Sequence, residues 1–437
     1  MKKLLIIVAA AAVLALPPYF VGSKAEAHIK KILELTNENP SININIIDYD
    51  KGWFSTKATF ELELTMQLDP DMKEFPKLRI VEEMSHGPLL WQTEGFGLGL
   101  IDTVSTIILP EEWQAEINKI DAIKEDTLMM TSRTDFDGTT RSLFNLKAIS
   151  IAEDNQSFTI EPVTATFSYD MTGHMFGSVL WQGMHLSEQG KETVKIGKLE
   201  AEFDSQVITG NMFAGNAISS GTFDSVVEKV AFTGATPAQA ATLSNIRIKG
   251  ESDIHQDLMD IHLLYAIEKV AVMAQEFRDL QLDMSILNLD IKAMQELNEL
   301  IAKSQQQASQ DPQAQAAVLM ASMQSILPKL LTKDPRLKIN NLGLTTDHGK
   351  ITSQLNMKIN PELVNLDNPQ SIVAAIEADA NGSGPEAFFN AQGLAAMIDP
   401  LVQQKMLIRE DDQLKFNLTF IKGVPLINGN PMPLGAQ

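Results

Sequence analysis

The sequence predicts an α+β protein, mainly β: a large antiparallel curved sheet, or sheets, with a few packing helices and an N-terminal transmembrane helix. Three observations predict it. Long segments alternate apolar and polar residues with a period of two. Helical periodicity is confined to a few blocks. The chain opens on two lysines followed by an unbroken apolar run.

Met1-Lys2-Lys3 supplies a positive start, and Leu4 to Leu16 is wholly apolar. Pro17-Pro18 interrupts the run, and Tyr19-Phe20-Val21 extends it to Gly22. As far as Val21 it covers roughly 18 residues, about 27 Å as a helix, close to the hydrocarbon thickness of a bilayer. Two readings stand. A cleaved signal would end its apolar region near Leu16 and use Ala25-Glu26-Ala27 as its small-residue site. An uncleaved signal-anchor would hold Tyr19 and Phe20 at the outer interface and Lys2 and Lys3 in the cytoplasm. The distance of Ala25 from Leu16 favours the anchor. The expected organisation is a membrane segment over 1–22 and a β-rich periplasmic body over 23–437, giving a single-pass inner-membrane protein.

Ala25 to Leu35 continues as a helix, with Ile29, Ile32 and Leu33 on one face. Strict alternation follows. Ile42, Ile44 and Ile46 form one strand, and Phe60, Leu62, Leu64, Met66 and Leu68 another. The turn Tyr49-Asp50-Lys51-Gly52-Trp53-Phe54 joins them as a hairpin. The same signature recurs at Val163–Tyr169, at Met259–Ile267, at Ile351–Ile359 and at Leu414–Phe420. The phase slips between Ile196 and Leu199 and between Ile286 and Leu287, as a β-bulge would make it do. Helices are expected from Pro110, carrying Trp113, Ile117 and Ile120, and after Asp290, which can cap Met294, Leu297 and Ile301. Two more are expected over 313–331 and 385–406, the last loosened by Gly393 and Pro400. A Gln-rich stretch over 304–315 reads as a helix break or loop. With similar strands on both sides, the block near 290–332 reads as a helical insertion in one sheet system.

Composition excludes several classes. The net charge of −21 leaves no basic stripe for nucleic acid. It also opposes docking of the whole body on an anionic bilayer. The absence of cysteine removes disulfides, thiolate metal sites and a Cys nucleophile. No catalytic, metal or cofactor site is expected. Glu82-Glu83 near His86 could suggest acid–base chemistry, but His86-Gly87-Pro88 reads as a turn closing a strand. Gly95-Phe96-Gly97-Leu98-Gly99 lacks the Lys-Ser/Thr of a phosphate-binding loop. His255 and His262 lie seven apart on strand-like sequence and should point to opposite faces. Nothing places a carboxylate with His174 or His185.

Several segments resemble the YdgA family of Gram-negative envelope proteins, long catalogued as a domain of unknown function. They are Gly22-Ser23-Lys24-Ala25-Glu26-Ala27-His28, Tyr49-x-x-Gly52-x-Phe54-Ser55 and His86-Gly87-Pro88. Leu330-Leu331-x-Lys333-Asp334-Pro335, Gly423 and Ile427-Asn428-Gly429 complete the set. The resemblance implies an inner-membrane-tethered periplasmic protein with no established enzyme activity. A looser likeness, in architecture alone, is to AsmA-type proteins with lipid-carrying β-grooves. The expectation is a non-enzymatic envelope protein whose sheet binds lipid or another apolar ligand, lined by Phe60, Leu62, Leu64, Phe416 and Leu418. The alternative is a structural protein that self-associates as a homodimer through strand edges. The bland account of these strands, a sheet face packed on helices or on a second sheet, stays open.

Overall fold

Strands account for most of the chain that the computed structural model describes. It describes residues 2–432 except 40, 65–76, 94, 109, 111–126, 154, 190, 235, 237, 238, 274, 308–325, 328, 366, 367 and 369. The side chains of 2–17, 19, 153, 302–307 and 370 also lie outside the description. The protein is mainly β, built on large antiparallel sheet with few helices. The chain divides into two units. One comprises Met1–Met184, Glu202–Ser219 and Asn298–Leu319; the other comprises His185–Ala201, Ser220–Leu297 and Met320–Gln437.

The first unit begins with helix α1, Lys2–Thr36. Among the described residues, no helix is long and apolar enough to cross a membrane. The side chains of most of the expected membrane segment lie outside those residues. Beyond α1, antiparallel strands follow one another. Ile42–Lys51 pairs with Ser55–Leu64, which pairs with Leu78–His86, and that with Ile101–Ile108. The succession continues through Leu128–Thr134, Thr140–Leu146, Val163–Tyr169 and His174–Trp181. The α1 helix lies on the first of these strands. Ala25, Ala58, Phe60, Met84 and Ile101 form the buried cluster, and Ile29, Leu33, Ile44, Ile46, Tyr49 and Ile80 pack against it. Asn211 holds the far end of α1, donating to Leu35 O at 2.9 Å and Glu38 Oε2 at 2.7 Å.

The second unit is a run of long hairpins. Ile218–Phe232, from Ser220 onward, pairs with Ala241–His255, then Leu258–Val272, then Gln275–Asp290. Arg336–Thr346, Gly349–Ile359, Ile376–Pro385 and Gln413–Ile421 continue the sheet. Helix α2, Ile291–Gln307, starts where Asp290 Oδ1 accepts from Ala293 N at 2.8 Å, the cap expected from sequence. Helix α3, Gln370–Ala375, had no clear periodicity to announce it. The expected helix over 385–406 is two: α4, Glu386–Ala391, and α5, Ala395–Gln403. Gly393, at φ +79°, breaks them apart.

The slip at Ile286/Leu287 is a true bulge. Asn288 takes φ +61°, and the register shifts between Met259 and Ile261 of the partner strand. The slip after Ile196 is instead the end of a strand: Lys191–Ile196 and Leu199–Thr209 are separate elements. The helix expected from Pro110, the strand extension to Met66 and Leu68, and most of the helix over 313–331 lie outside the described residues.

Candidate functional site

Three places bring polar or apolar groups together in an organised way. The first gathers segments far apart in sequence. Gly22 of α1 lies against His86, whose Nε2 sits 2.8 Å from Thr56 Oγ1 and whose Nδ1 sits 3.4 Å from Trp53 O. The His86 amide donates to Phe54 O at 2.8 Å. Lys51 donates to Ser23 Oγ at 2.7 Å and to Glu26 Oε2 at 3.2 Å. Tyr49 packs on the core beneath, and Gly52 N donates to Ser55 O at 2.8 Å to close the hairpin tip. Gly87 must be glycine, since a Cβ would fall 1.7 Å from Gly99 O. Pro88 O accepts from Gly99 N. Burial keeps the His86 imidazole below its usual pKa, against the Trp53 carbonyl, which raises it. Tyr49 and His86 thus pack against α1, while Gly52, Phe54, Gly87 and Pro88 shape the hairpin tip and the loop beside it.

That geometry does not assemble an acid–base pair. Glu82 and His86 share a face but lie four residues apart on one strand, about 13 Å. Glu83 points to the other face and pairs with Lys57 at 2.9 Å. Glu82 is half-buried on the apolar face. Burial raises its carboxyl to about 7, with the Ser105 hydroxyl opposing.

The second place is the loop between His86 and Ile101. Arg133 and Asp102 are 5% and 0% exposed and meet through Nε–Oδ1 at 2.7 Å and Nη2–Oδ2 at 2.8 Å. Asp102 also accepts from Gln92 N and the Thr93 hydroxyl. Burial pushes its carboxyl up, but Arg133 and these donors outweigh that and hold it low. Arg133 donates to Gly95 O at 2.8 Å, and a Cβ on Gly97 would meet its guanidinium at 2.4 Å. The glycine-rich segment therefore wraps a buried ion pair.

The third place is the apolar face of the second unit. Directly paired residues of an antiparallel sheet share a face. One cross-strand row runs Ile248, Tyr265, Leu282 and Leu342, then through Ser353 to Gly382 and Phe416. The next runs Leu263, Met284, Ile339, Leu355, Ala380 and Leu418. Ile248, Tyr265 and Leu342 are exposed. At the Phe416 end, α4 and α5 lie over the face and border a half-open cavity of ≈ 340 Å³. Ile351, Leu414 and Phe416 line it from the sheet; Phe389, Ile398 and Leu401 line it from the helices. Toward the cavity the strand between the two large-residue strands carries Ala378, Ala380, Gly382 and Gly384 on this face, its one large residue there, Ile376, lying at the far end. That missing bulk makes the room. A Cβ on Gly382 would meet Phe416 at 2.5 Å, and one on Gly384 would meet Phe389 at 3.0 Å. Arg409 pins the helices from the rim, donating to Glu386 at 2.6 and 2.7 Å and to Asp399 at 2.9 Å.

Of the residues expected to line a groove, Phe416 borders this cavity and Leu418 lies on the same face. Phe60 is 4% exposed beneath α1, covered instead of open. Leu62 and Leu64 are half-buried on the strand that continues from it. The glycines at 382 and 384 were missed, although alternating small residues were visible in the sequence. His255 and His262 occupy facing strands of one hairpin, opposite Leu258 and Glu251, so they share a face. They remain about 13 Å apart. His174 does meet a carboxylate, Asp204 at 2.9 Å, through a strand pairing that sequence could not show. Among the described residues, no group of three or more His, Asp or Glu could hold a metal.

Fold and sites together define a mainly β protein that presents an apolar sheet face and cavity. The chain belongs to the family described as bacterial protein of unknown function (DUF945), whose model matches residues 1–435. No curated protein and no solved structure matches it.

Proposed function

We infer that this chain is a non-enzymatic, inner-membrane-tethered periplasmic protein, in the manner of the YdgA group, that binds an apolar ligand such as a lipid acyl chain. The observation that carries the reading is the apolar cavity beneath α4 and α5, continuous with an exposed apolar sheet face. A volume of ≈ 340 Å³ falls at the small end of ligand pockets. Each methylene buried there would contribute about 0.8 kcal/mol. No charge lines the cavity, so it would select for apolar length and leave a headgroup at the rim near Arg409. Native mass spectrometry of gently extracted protein tests this. Co-purified lipid, or uptake from supplied phospholipid, supports the reading; lipid-free protein that takes up none sinks it.

The exposed Ile248, Tyr265 and Leu342 also favour a second reading, a self-associating scaffold. Sedimentation over a range of concentrations separates the two. A monomer with bound lipid supports the first, and a lipid-free dimer the second.

A further inference from the structure

One end of the first unit's sheet is unusually apolar. Antiparallel pairing gathers the hairpin tip at 52–54 and the loop at 87–100 at that end, because Lys51 faces Thr56 and His86 faces Ile101. Phe54, Leu89, Trp91, Phe96 and Leu98 are exposed there, Trp91 at 70%, Phe96 at 76% and Leu98 at 60%. The loop is not floppy bulk. Leu89 pairs with Leu98, and the Arg133–Asp102 pair ties its base through Gln92, Thr93 and Gly95. Structure is being spent on holding large apolar side chains in solvent, where they oppose solubility. Between Gly87 and Ile101 the sequence holds a single charged residue, Glu94.

The same end is where α1 leaves. Its register against the sheet is set at both ends: Lys51 meets Ser23 and Glu26, while Asn37 exchanges hydrogen bonds with the backbone of Ile44. The helix therefore runs antiparallel to the 42–51 strand, and residues before Gly22 extend past the hairpin tip. Those residues are the apolar run Leu4–Val21, in the same helix. Phe20 is exposed at the crossing point.

We propose that the loops carrying Phe54, Leu89, Trp91, Phe96 and Leu98 insert into the interfacial region of the phospholipid bilayer that α1 enters, seating the first unit on the membrane surface. Aromatic rings with apolar bodies favour that zone. The near absence of charge in the loop removes the repulsion that the acidic body would otherwise meet at anionic lipid. The occupant follows from continuity: a bilayer that receives Leu4–Val21 has its surface beside Phe20. The proposal rests on the membrane-anchor reading, and its test separates the two.

The chain contains no cysteine, so a single introduced one takes a nitroxide label without background. The full chain would be reconstituted into phosphatidylethanolamine–phosphatidylglycerol vesicles. Labels at Phe96→Cys and, separately, Leu98→Cys would be compared with Ala148→Cys at the opposite end of the sheet. The expected ratio of oxygen to nickel-chelate collisions at 96 and 98 is roughly tenfold that at 148. Using two loop positions guards against a variant that itself loses the contact. Equal ratios at all three sites, with the chain still floating with the vesicles, would overturn the seating while leaving the anchor intact. Label–label broadening at 96 without lipid contact would also overturn it, in favour of a second copy of the chain. A chain that fails to float would remove the anchor and the seating together.

Discussion

Gly22 of α1 lies flat against the imidazole of His86: a Cβ on residue 22 would fall 2.4 Å from His86 Cε1. The contact joins the helix to the sheet at the point where the Thr56 and Trp53 hydrogen bonds hold the ring. It predicts non-additive variants. Gly22→Leu overfills the contact and should destabilise by about 1–3 kcal/mol. His86→Ala abandons Thr56 and should cost a similar amount, about 1–3 kcal/mol. The double variant should be better than the sum by about 1 kcal/mol, because the ring that clashes has gone. Denaturant midpoints of the four proteins measure this. Strict additivity would show that the two residues do not bear on each other.

Glu82 predicts a pH dependence. Its carboxyl is raised from 4.5 to about 7, so the folded chain holds a proton that the unfolded chain releases. Its contribution is fully present below about 4.5 and is lost as pH rises through about 7. Glu82→Gln should stabilise the protein at pH 8 by up to about 3 kcal/mol and do little at pH 4. His86 works in the opposite direction: its lowered pKa means stability is lost as pH falls below the usual 6.5. Thermal melts of wild type and Glu82→Gln at both pH values test this. A difference independent of pH would be inconsistent with a half-buried, proton-holding Glu82.

The Arg133–Asp102 pair is expected to matter more when broken than when absent. Arg133→Ala leaves a buried carboxylate and should destabilise by about 3–5 kcal/mol. Arg133→Ala with Asp102→Ala removes both charges and should recover part of the loss. Hydrogen exchange at 92–95 should rise in the single variant, since Asp102 holds the Gln92 amide. Unchanged exchange would mean the loop is organised by other contacts.

Gly384→Ala tests the cavity. The new methyl would meet Phe389 at 3.0 Å and Ile351 at 3.2 Å, within the lining. Binding of a fluorescent fatty acid should weaken about tenfold if each lost apolar contact is worth roughly a methylene or two. The melting midpoint serves as the control for folding. Unaltered binding in a stable variant would place the ligand elsewhere.

Much of this was legible in the sequence by itself. Period-two alternation determined the strands at 42–64, 163–169, 351–359 and 414–420, because the side-chain period of a strand is a local property. Asp290 determined the start of α2, since a cap is also local; Gly393 was legible only as a loosening of one helix, not as the break between α4 and α5. Which apolar face stays open is not local. Phe60 and Phe416 sit in near-identical alternating strands, yet one is closed by α1 and the other borders a cavity. The difference lies in what packs above each strand and in neighbours such as Gly382, brought alongside Phe416 from far away in sequence. Only tertiary structure decides that, as it decided that Gly22, Tyr49 and His86 belong to one dock. Pairing registers and helix placement arise from long-range burial, which no single segment encodes.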